Sequence, residues 1–160
     1  MTDPWSEFAT FFEKRPPQLI LGPRPGKKSA AALAPLGITH CCTLLSAREE
    51  AQPIRRVCEK LDCRWVWLPV EGGRLEVLRE TNLADHVRVL IDAIAEEPEP
   101  TIYIHCSAGI HRTGFFAYVL LRLQGLCRGA AEAELRRLRP VTAEQVGQDR
   151  LDLAEQRLLL

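Results

Sequence analysis

The sequence predicts an α/β fold in which a central, mostly parallel β-sheet is flanked by helices on both faces. Short apolar or β-branched runs alternate with longer segments of helical periodicity, which is the pattern of β-α-β units. Proline and glycine residues separate these segments. A chain of 160 residues is long enough to bury one core. We therefore expect a single domain over residues 1–160, with residues 1–17 as an N-terminal extension.

Four segments have the composition and length of buried strands. In chain order they cover residues 18–21, 38–45, 64–68 and 101–105. Turn-forming runs follow the first strand at Gly22–Gly26 and the third at Pro69–Gly73. Each strand precedes a helix, so catalytic loops are expected at the carboxyl ends of the strands.

The segments between and after the strands show helical periodicity or helix-boundary residues. The predicted helices cover residues 5–13, 27–36, 47–61 with a new start near Pro53, 75–97, 115–123, 128–138 and 143–158. The clearest is the helix over residues 75–97, because one face carries Leu83, Val87, Leu90, Ile91 and Ile94. Pro140 is expected to separate the last two helices.

The composition is that of an ordinary soluble protein, with 46% hydrophobic and 26% charged residues. A formal net charge of zero argues against binding nucleic acid or a membrane surface through bulk charge. No apolar run reaches transmembrane length, and the first residues lack the pattern of a secretory signal. The six cysteines need not form disulfides in a chain of this size. We expect a cytoplasmic protein without stable membrane insertion.

The most informative segment is the run from His105 to Gly114, which reads HCSAGIHRTG. It lies between the last predicted strand and an amphipathic helix. In such a loop the backbone N–H groups point inward and lie at the positive end of the helix dipole. This arrangement is an anion-binding site. A thiol in that field has a lowered pKa, so Cys106 is expected to ionise near neutral pH. The predicted phosphate-binding residues are Ser107, Ala108, Gly109, Ile110, His111 and Arg112.

The residue types in this run suit a bound phosphate. Five residues between Cys106 and Arg112 allow the backbone to surround a tetrahedral anion, and the guanidinium binds two oxygens at once. Gly109 is free to adopt a positive φ or to approach the ligand closely, and Gly114 lets the helix begin close to the strand. Thr113 is placed to direct its hydroxyl at the sulfur, where it would stabilise a leaving thiolate.

Other interpretations of this run are a structural cysteine and a metal site. A cysteine between a strand and a helix is most often a small buried apolar residue. His105, Cys106 and His111 are potential zinc ligands, but no partner completes a four-ligand set with recognised spacing. His111 would add positive charge near neutral pH or cap the rim of the loop. We expect no metal.

The run resembles the signature His-Cys-x5-Arg-Ser/Thr-Gly of the cysteine-dependent protein tyrosine and dual-specificity phosphatases, and every signature position is present. The dual-specificity branch of this family also has segments similar to four others in this chain, namely Leu19–Gly22, Leu36–His40, Leu68–Glu71 and Arg139–Pro140. The resemblance covers residues 18–155, and the small size favours that branch. It implies the dual-specificity phosphatase fold.

The resemblance also implies a mechanism. Cys106 would attack phosphorus to give a phosphocysteine, Arg112 would hold the equatorial oxygens, and water would hydrolyse the intermediate. No metal or cofactor is required, and a phosphorylated protein would be the substrate. The family takes its general acid, usually an aspartate, from the loop after the third strand.

The expected aspartate position departs from the family pattern, because it holds Gly72. The neighbouring Glu71 is the first candidate for the acid, although a solvated loop glutamate is the alternative. Asp62, Asp85 and Asp92 are further candidates, the first before the third strand and the others on the helix over residues 75–97. A weak acid would slow alkyl phosphates more than aryl phosphates, which favours phosphotyrosine.

Three functions fit the sequence. The first is a phosphoprotein phosphatase, tyrosine or dual-specificity, acting through phosphocysteine. The second is a phosphate-binding module with little turnover, suggested by Gly72. The third is a phosphatase for a non-protein substrate such as a phosphoinositide, although Ala108 and His111 stand where such enzymes often carry lysines.

Overall fold

The structure, a computed structural model, describes residues 3–158 and confirms the predicted parallel sheet. Within that range the sheet has the strand order β1-β4-β2-β3, and each neighbouring pair is parallel. The strands are β1 (Gln18–Gly22), β2 (His40–Thr43), β3 (Arg64–Trp67) and β4 (Thr101–His105). Because they run in one direction, their carboxyl ends meet at one edge of the sheet.

Helices cover both faces of this sheet, as predicted. They are α1 (Pro4–Lys14), α2 (Ser29–Leu33), α3 (Pro53–Leu61), α4 (Leu75–Glu80), α5 (Leu83–Ile94), α6 (His111–Leu123), α7 (Arg128–Leu138), α8 (Pro140–Gln145) and α9 (Gln148–Leu158). Single turns of 3-10 helix lie at Ala34–Leu36 and Ala47–Glu49. Among the described residues, no helix is long and apolar enough to cross a membrane.

Alternate residues of the central strands pack into two separate layers. Cys42 and Ile104 join the larger core, which is built around the almost completely buried helix α6. Cys41 and Tyr103 face the opposite side and join the smaller core under α3. Successive side chains of a strand point to opposite faces of the sheet, which produces this division. The two cores together bury both faces of the sheet.

The predicted helix over residues 75–97 is instead two helices, α4 and α5. Thr81 leaves the helical backbone with a ψ of 140°. Its hydroxyl donates to the carbonyl of Val77 (2.8 Å), and the side-chain amide of Asn82 donates to Asp85 (2.6 Å). These side-chain bonds offer the chain an alternative to continuous helix hydrogen bonding, so the helix ends and starts again.

Three other boundaries differ from the sequence prediction. Pro140 begins α8 rather than separating helices, because its fixed φ suits the first position of a helix. The predicted helix over residues 143–158 is divided at Gly147, which has a φ of 88°. The second strand is also shorter than the predicted residues 38–45.

Gly22 ends β1 against a ring that leaves no room for a side chain. A Cβ at this position would lie 2.2 Å from the hydroxyl oxygen of Tyr103, which is buried and donates to the carbonyl of Pro23 (2.7 Å). We predict that Gly22→Ala lowers the free energy of unfolding by about 1–3 kcal/mol, the usual cost of overpacking. Urea unfolding measures this change.

The control for this prediction is Gly26→Ala, where a Cβ would meet open space. Its free energy of unfolding is expected to stay within about 1 kcal/mol of the wild-type value. Equal effects of the two substitutions would contradict the predicted clash at Gly22.

Candidate active site

The loops after the four strands meet at the carboxyl edge of the sheet. They carry Arg24 after β1, Glu49 after β2, Glu71 after β3 and Cys106 after β4. The loop between β4 and α6, at the position that the sequence predicts, is called here the phosphate loop (residues 106–112). The side chain of Cys106 is buried at its start, with 3% exposure.

Each carbonyl from Cys106 to Gly109 is held by a donor outside the phosphate loop. The bonds run from His105 Nδ1 to Cys106 O (3.0 Å), Arg24 N to Ser107 O (2.9 Å), Arg139 Nη1 to Ala108 O (3.0 Å) and Gly109 O (2.9 Å), and Thr142 Oγ1 to Gly109 O (2.6 Å). A trans peptide carries its N–H opposite its carbonyl, so the next amides point away from these donors. Successive amides on one side form an anion-binding nest.

Gly109 adopts the positive φ that the sequence suggested for a glycine, whereas its close approach to a ligand stays a prediction. Its φ is 73°, and a Cβ would lie 2.1 Å from the carbonyl oxygen of Gly22. The close approach in the structure is to the end of β1. Gly114 was expected to allow contact with the strand, but its position is explained by α8: a Cβ there would lie 2.6 Å from Val146 and 3.2 Å from Thr142.

The surroundings of Cys106 favour its thiolate. Burial raises the pKa of the thiol, but the hydroxyl and backbone N–H of Thr113, the charge of Arg112 and the N–H of Ile110 together lower it, so the pKa lies below its ordinary value. The Thr113 hydroxyl donates to the sulfur over 3.1 Å. The structure thus brings together Cys106, Arg112 and Thr113.

Arg112 is held in a fixed position by an acidic partner. Its Nη1 and Nη2 donate to the two carboxylate oxygens of Glu49 over 2.6 and 3.0 Å. Nη1 also lies 3.2 Å from the carbonyl of Leu44 and 3.0 Å from that of Val70. Hydrogen bonding from Arg112 lowers the pKa of Glu49 to about 2, so this residue stays ionised and is not a proton donor.

These contacts leave one edge of the guanidinium for a ligand. A guanidinium has five N–H donors. Glu49 and the two carbonyls take up the hydrogens of Nη1 and one hydrogen of Nη2. The N–H of Nε and the second N–H of Nη2 lie side by side on the remaining edge, in the arrangement that binds two phosphate oxygens.

Sequence reasoning missed Glu49, although a local signal for it exists. Ser46 and Glu49 form a capping box at the turn after β2, and the N–H of Ser46 donates to Glu49 over 2.9 Å. A capping box at the carboxyl end of a strand places an acidic side chain at the site edge of the sheet. Its pairing with Arg112 depends on tertiary structure.

The loop from Pro69 to Arg74 is fixed over the site by side chains from three helices. His86 lies 2.8 Å from the carbonyl of Pro69, Arg112 donates to that of Val70 (3.0 Å), and Arg150 donates to that of Gly73 (2.7 Å). These contacts hold the backbone on both sides of Glu71.

Glu71 and Gly72 lie on the solvent-facing side of this loop. Glu71 is exposed, and its carboxylate has no hydrogen-bond partner among the described residues. A Cβ on Gly72 would meet nothing within 4 Å, whereas one on Gly73 would lie 2.8 Å from the Cβ of His111. The loop therefore packs directly on the rim of the phosphate loop.

The remaining acidic candidates lie away from this arrangement. Asp62 ends α3, before β3 and thus at the opposite edge of the sheet. Asp85 and Asp92 are exposed on α5. Partial burial and the charges of Arg150 and Arg112 lower the pKa of His111, whose ring lies at the exposed rim of the phosphate loop.

Solved phosphatase structures share this fold. Tk-PTP in its active form is 20% identical, with a TM-score of 0.63 over 87% of this chain and 90% of that chain. TpbA from P. aeruginosa is 23% identical, with a TM-score of 0.60 over 89% and 80%. The core catalytic domain of the PP-IP phosphatase SIW14 from S. cerevisiae is 19% identical, with a TM-score of 0.57 over 87% and 77%.

Sequence comparison identifies the family. No curated protein sequence matches the chain. The model of a tyrosine phosphatase family matches residues 24–135, which is more than half of the chain and includes the whole phosphate loop. The fold, the loop and this match together make the chain a member of the tyrosine phosphatase family and a cysteine-dependent phosphatase.

Proposed function

We propose that the protein hydrolyses phosphate monoesters of proteins, with a preference for phosphotyrosine, through a phosphocysteine at Cys106. The observation that carries this proposal is the phosphate loop itself. Its carbonyls are held from outside, its buried thiol has a lowered pKa, and Arg112 keeps a free pair of donors. A phosphate dianion fits such a loop, and the sulfur of Cys106 lies at its base.

In the first step, the Cys106 thiolate attacks phosphorus in line with the leaving oxygen. The S–P bond forms as the P–O bond breaks, and the leaving oxygen takes a proton. Amides of Ser107, Ala108, Gly109, Ile110 and His111 and the free edge of Arg112 stabilise the charge of the equatorial oxygens.

In the second step, a water attacks the phosphocysteine. The S–P bond breaks, Cys106 leaves as a thiolate, and inorganic phosphate is released. Thr113 donates to the sulfur over 3.1 Å, so its hydroxyl stabilises the thiolate both before attack and as it leaves. A binding module would not need a thiol with a lowered pKa, which favours turnover over binding alone.

The charges of the site favour a substrate with one phosphate group. The side chains of Arg24, Arg139 and Arg150 donate to main-chain carbonyls, so some of their N–H groups are already used within the protein. Within the phosphate loop itself, residues 106–112, Arg112 is the one arginine or lysine. A phosphoinositide or inositol polyphosphate offers further phosphates, for which residues 106–112 hold no second arginine or lysine.

The solved relatives alone do not select the substrate. TpbA has been solved in complex with pTyr, whereas SIW14 is a PP-IP phosphatase. The single arginine within residues 106–112 supports the first class. A thiolate nucleophile also requires a reducing compartment, so we propose a cytoplasmic location.

Glu71 is proposed as the general acid. Its backbone is fixed between the carbonyl of Val70, held by Arg112, and that of Gly73, held by Arg150. Glu71 therefore directly follows, in sequence, the residue whose carbonyl Arg112 holds. Gly72 stands where the family usually has an aspartate, and a phenol needs less protonation than an alcohol as it leaves, which supports tyrosyl phosphate as the preferred ester.

The function is tested with a panel of a phosphotyrosine peptide, a phosphoserine peptide and an inositol polyphosphate. We predict the highest kcat/KM for the phosphotyrosine peptide. Cys106→Ser should reduce turnover of every substrate to background, because a serine hydroxyl here has no base to ionise it. Phosphate release measures turnover.

Cys127→Ser is the matched control, because Cys127 is a free, exposed cysteine before α7. It should retain wild-type kcat/KM. Activity of Cys106→Ser within tenfold of the control would contradict a covalent mechanism, and faster hydrolysis of the inositol polyphosphate would contradict the proposed substrate class.

The general acid is tested with Glu71→Gln. We predict that this change slows an alkyl phosphate more than an aryl phosphate, by up to the roughly 10²–10⁴-fold that acid catalysis contributes. It should also remove the basic limb of the pH profile of kcat. Both effects follow from the greater basicity of an alkoxide leaving group.

Gly72→Asp serves as the comparison, because the space around Gly72 accepts a side chain. With Glu71 as the acid, an added aspartate should change turnover little. Unchanged kinetics in Glu71→Gln, together with faster alkyl phosphate hydrolysis in Gly72→Asp, would show that the acid is missing and refute the role of Glu71.

A further inference from the structure

A line of hydrogen bonds runs from the edge of the sheet to the nucleophile. The indole N–H of Trp65 donates to Thr43 Oγ1 over 2.8 Å. Thr43 Oγ1 lies 2.7 Å from Nε2 of His105, and Nδ1 of His105 lies 3.0 Å from the carbonyl oxygen of Cys106. One residue from each of three strands is thereby linked to Cys106, the first residue of the phosphate loop.

The strand register explains why these side chains meet. β2 lies between β3 and β4, and Thr43 is paired with His105 on β4. On the other side, the Cys41 position of β2 is paired with Trp65. Residues two apart on a strand share a face, so all three polar side chains lie on the face that carries the smaller core.

The direction of each bond follows from the only proton arrangement that satisfies them all. The Cys106 carbonyl only accepts, so Nδ1 of His105 carries a proton. His105 is fully buried: burial, with the charges of Arg24 and Arg112, lowers its pKa to about 4, and the ring is neutral. Nε2 is then an acceptor. Thr43 donates to it, and the Thr43 oxygen accepts from Trp65.

The opposite tautomer would disrupt the phosphate loop. With the proton on Nε2, the Nδ1 lone pair would face the lone pairs of the Cys106 carbonyl. The carbonyl would lose its donor, and the peptide that aligns the first amide of the loop would be free to rotate. The N–H of Trp65 takes one of the two lone pairs of the Thr43 oxygen. In the opposite tautomer the Nε2 proton would take the other, and the Thr43 hydroxyl proton would have to turn to the sulfur of Cys41, a weak acceptor 4.0 Å away. The Trp65 N–H therefore disfavours this state.

We propose that Trp65 is a positioning residue for the nucleophile: its indole N–H orients the Thr43 hydroxyl, which selects the His105 tautomer that holds the Cys106 peptide. The inference rests on the proposed nucleophilic role of Cys106. Trp65 itself is half-buried on the edge strand β3, and no part of the proposed mechanism requires it to touch substrate.

The test is Trp65→Phe, which keeps an aromatic ring and removes the N–H. Iodoacetamide alkylation of Cys106, followed by peptide mass spectrometry across pH, reports the thiol pKa without any substrate. We expect the midpoint to rise by roughly half a unit or more, which corresponds to the loss of one neutral hydrogen bond. The value of kcat at low pH should also fall, because a higher thiol pKa leaves less of Cys106 as the thiolate.

Trp67→Phe is the matched control. Trp67 stacks on Trp65 with ring centroids 5.5 Å apart, but its indole donates to the carbonyl of Leu45. It should leave the Cys106 midpoint unchanged. Equal shifts in the two variants would reflect general loosening of the edge strand and would overturn the proposal.

A second pair of variants isolates the hydroxyl. Thr43→Val should reproduce the shift of Trp65→Phe, and Thr43→Ser, which retains a hydroxyl, should restore the wild-type midpoint. Nitrogen NMR of labelled histidine should show His105 protonated at Nδ1 in the wild type and a mixture of tautomers in Trp65→Phe. A pure Nδ1 tautomer in Trp65→Phe with an unchanged midpoint would refute the role of Trp65.

These measurements separate this inference from the proposed function. A wild-type Cys106 that titrates as an ordinary thiol would contradict both the proposed function and the role of Trp65. A low wild-type midpoint that none of the variants shifts would leave the nucleophile in place and overturn only the role of Trp65.

Discussion

The constraint on which the site depends is the outward anchoring of the phosphate loop carbonyls. A loop of this length has no preferred curvature of its own, and its peptides would rotate freely in water. Arg24, Arg139 and Thr142, with His105 at the start, fix four consecutive carbonyls. The N–H groups that remain form a cradle before any ligand arrives, so binding an anion requires little reorganisation.

The second requirement is a buried arginine that stays available. An arginine without a partner would be costly to bury, and Glu49 compensates its charge through two hydrogen bonds. The same pair orients the guanidinium so that its free edge is the one that faces a ligand. A phosphate then binds at the free edge of a guanidinium whose other edge is already paired with Glu49. Arg112 also holds Val70, which couples phosphate binding to the loop that carries Glu71.

The local part of this site was predictable from the sequence, and the long-range part was not. Cys106, Arg112 and Thr113 lie within eight residues, so their spacing alone indicated a phosphate loop. Strand and helix periodicity likewise predicted the parallel sheet. Arg24 and Glu49 come from separate loops that meet only because the parallel strands end at one edge. Arg139 comes from the junction of α7 and α8, which reaches the phosphate loop only through tertiary packing. Helix breaks such as Thr81 were missed because a side-chain hydrogen bond overrides an otherwise continuous apolar face.

The most direct test of covalent catalysis at Cys106 is to trap the intermediate. The wild-type enzyme is mixed with a phosphotyrosine peptide, quenched in acid within a single turnover, and digested for mass spectrometry. The phosphate loop geometry predicts one phosphoryl group on the peptide that contains Cys106 and none on peptides that contain the other cysteines. Rapid phosphate release with no phosphorylated Cys106 peptide at any quench time would contradict the central claim that the thiolate attacks phosphorus.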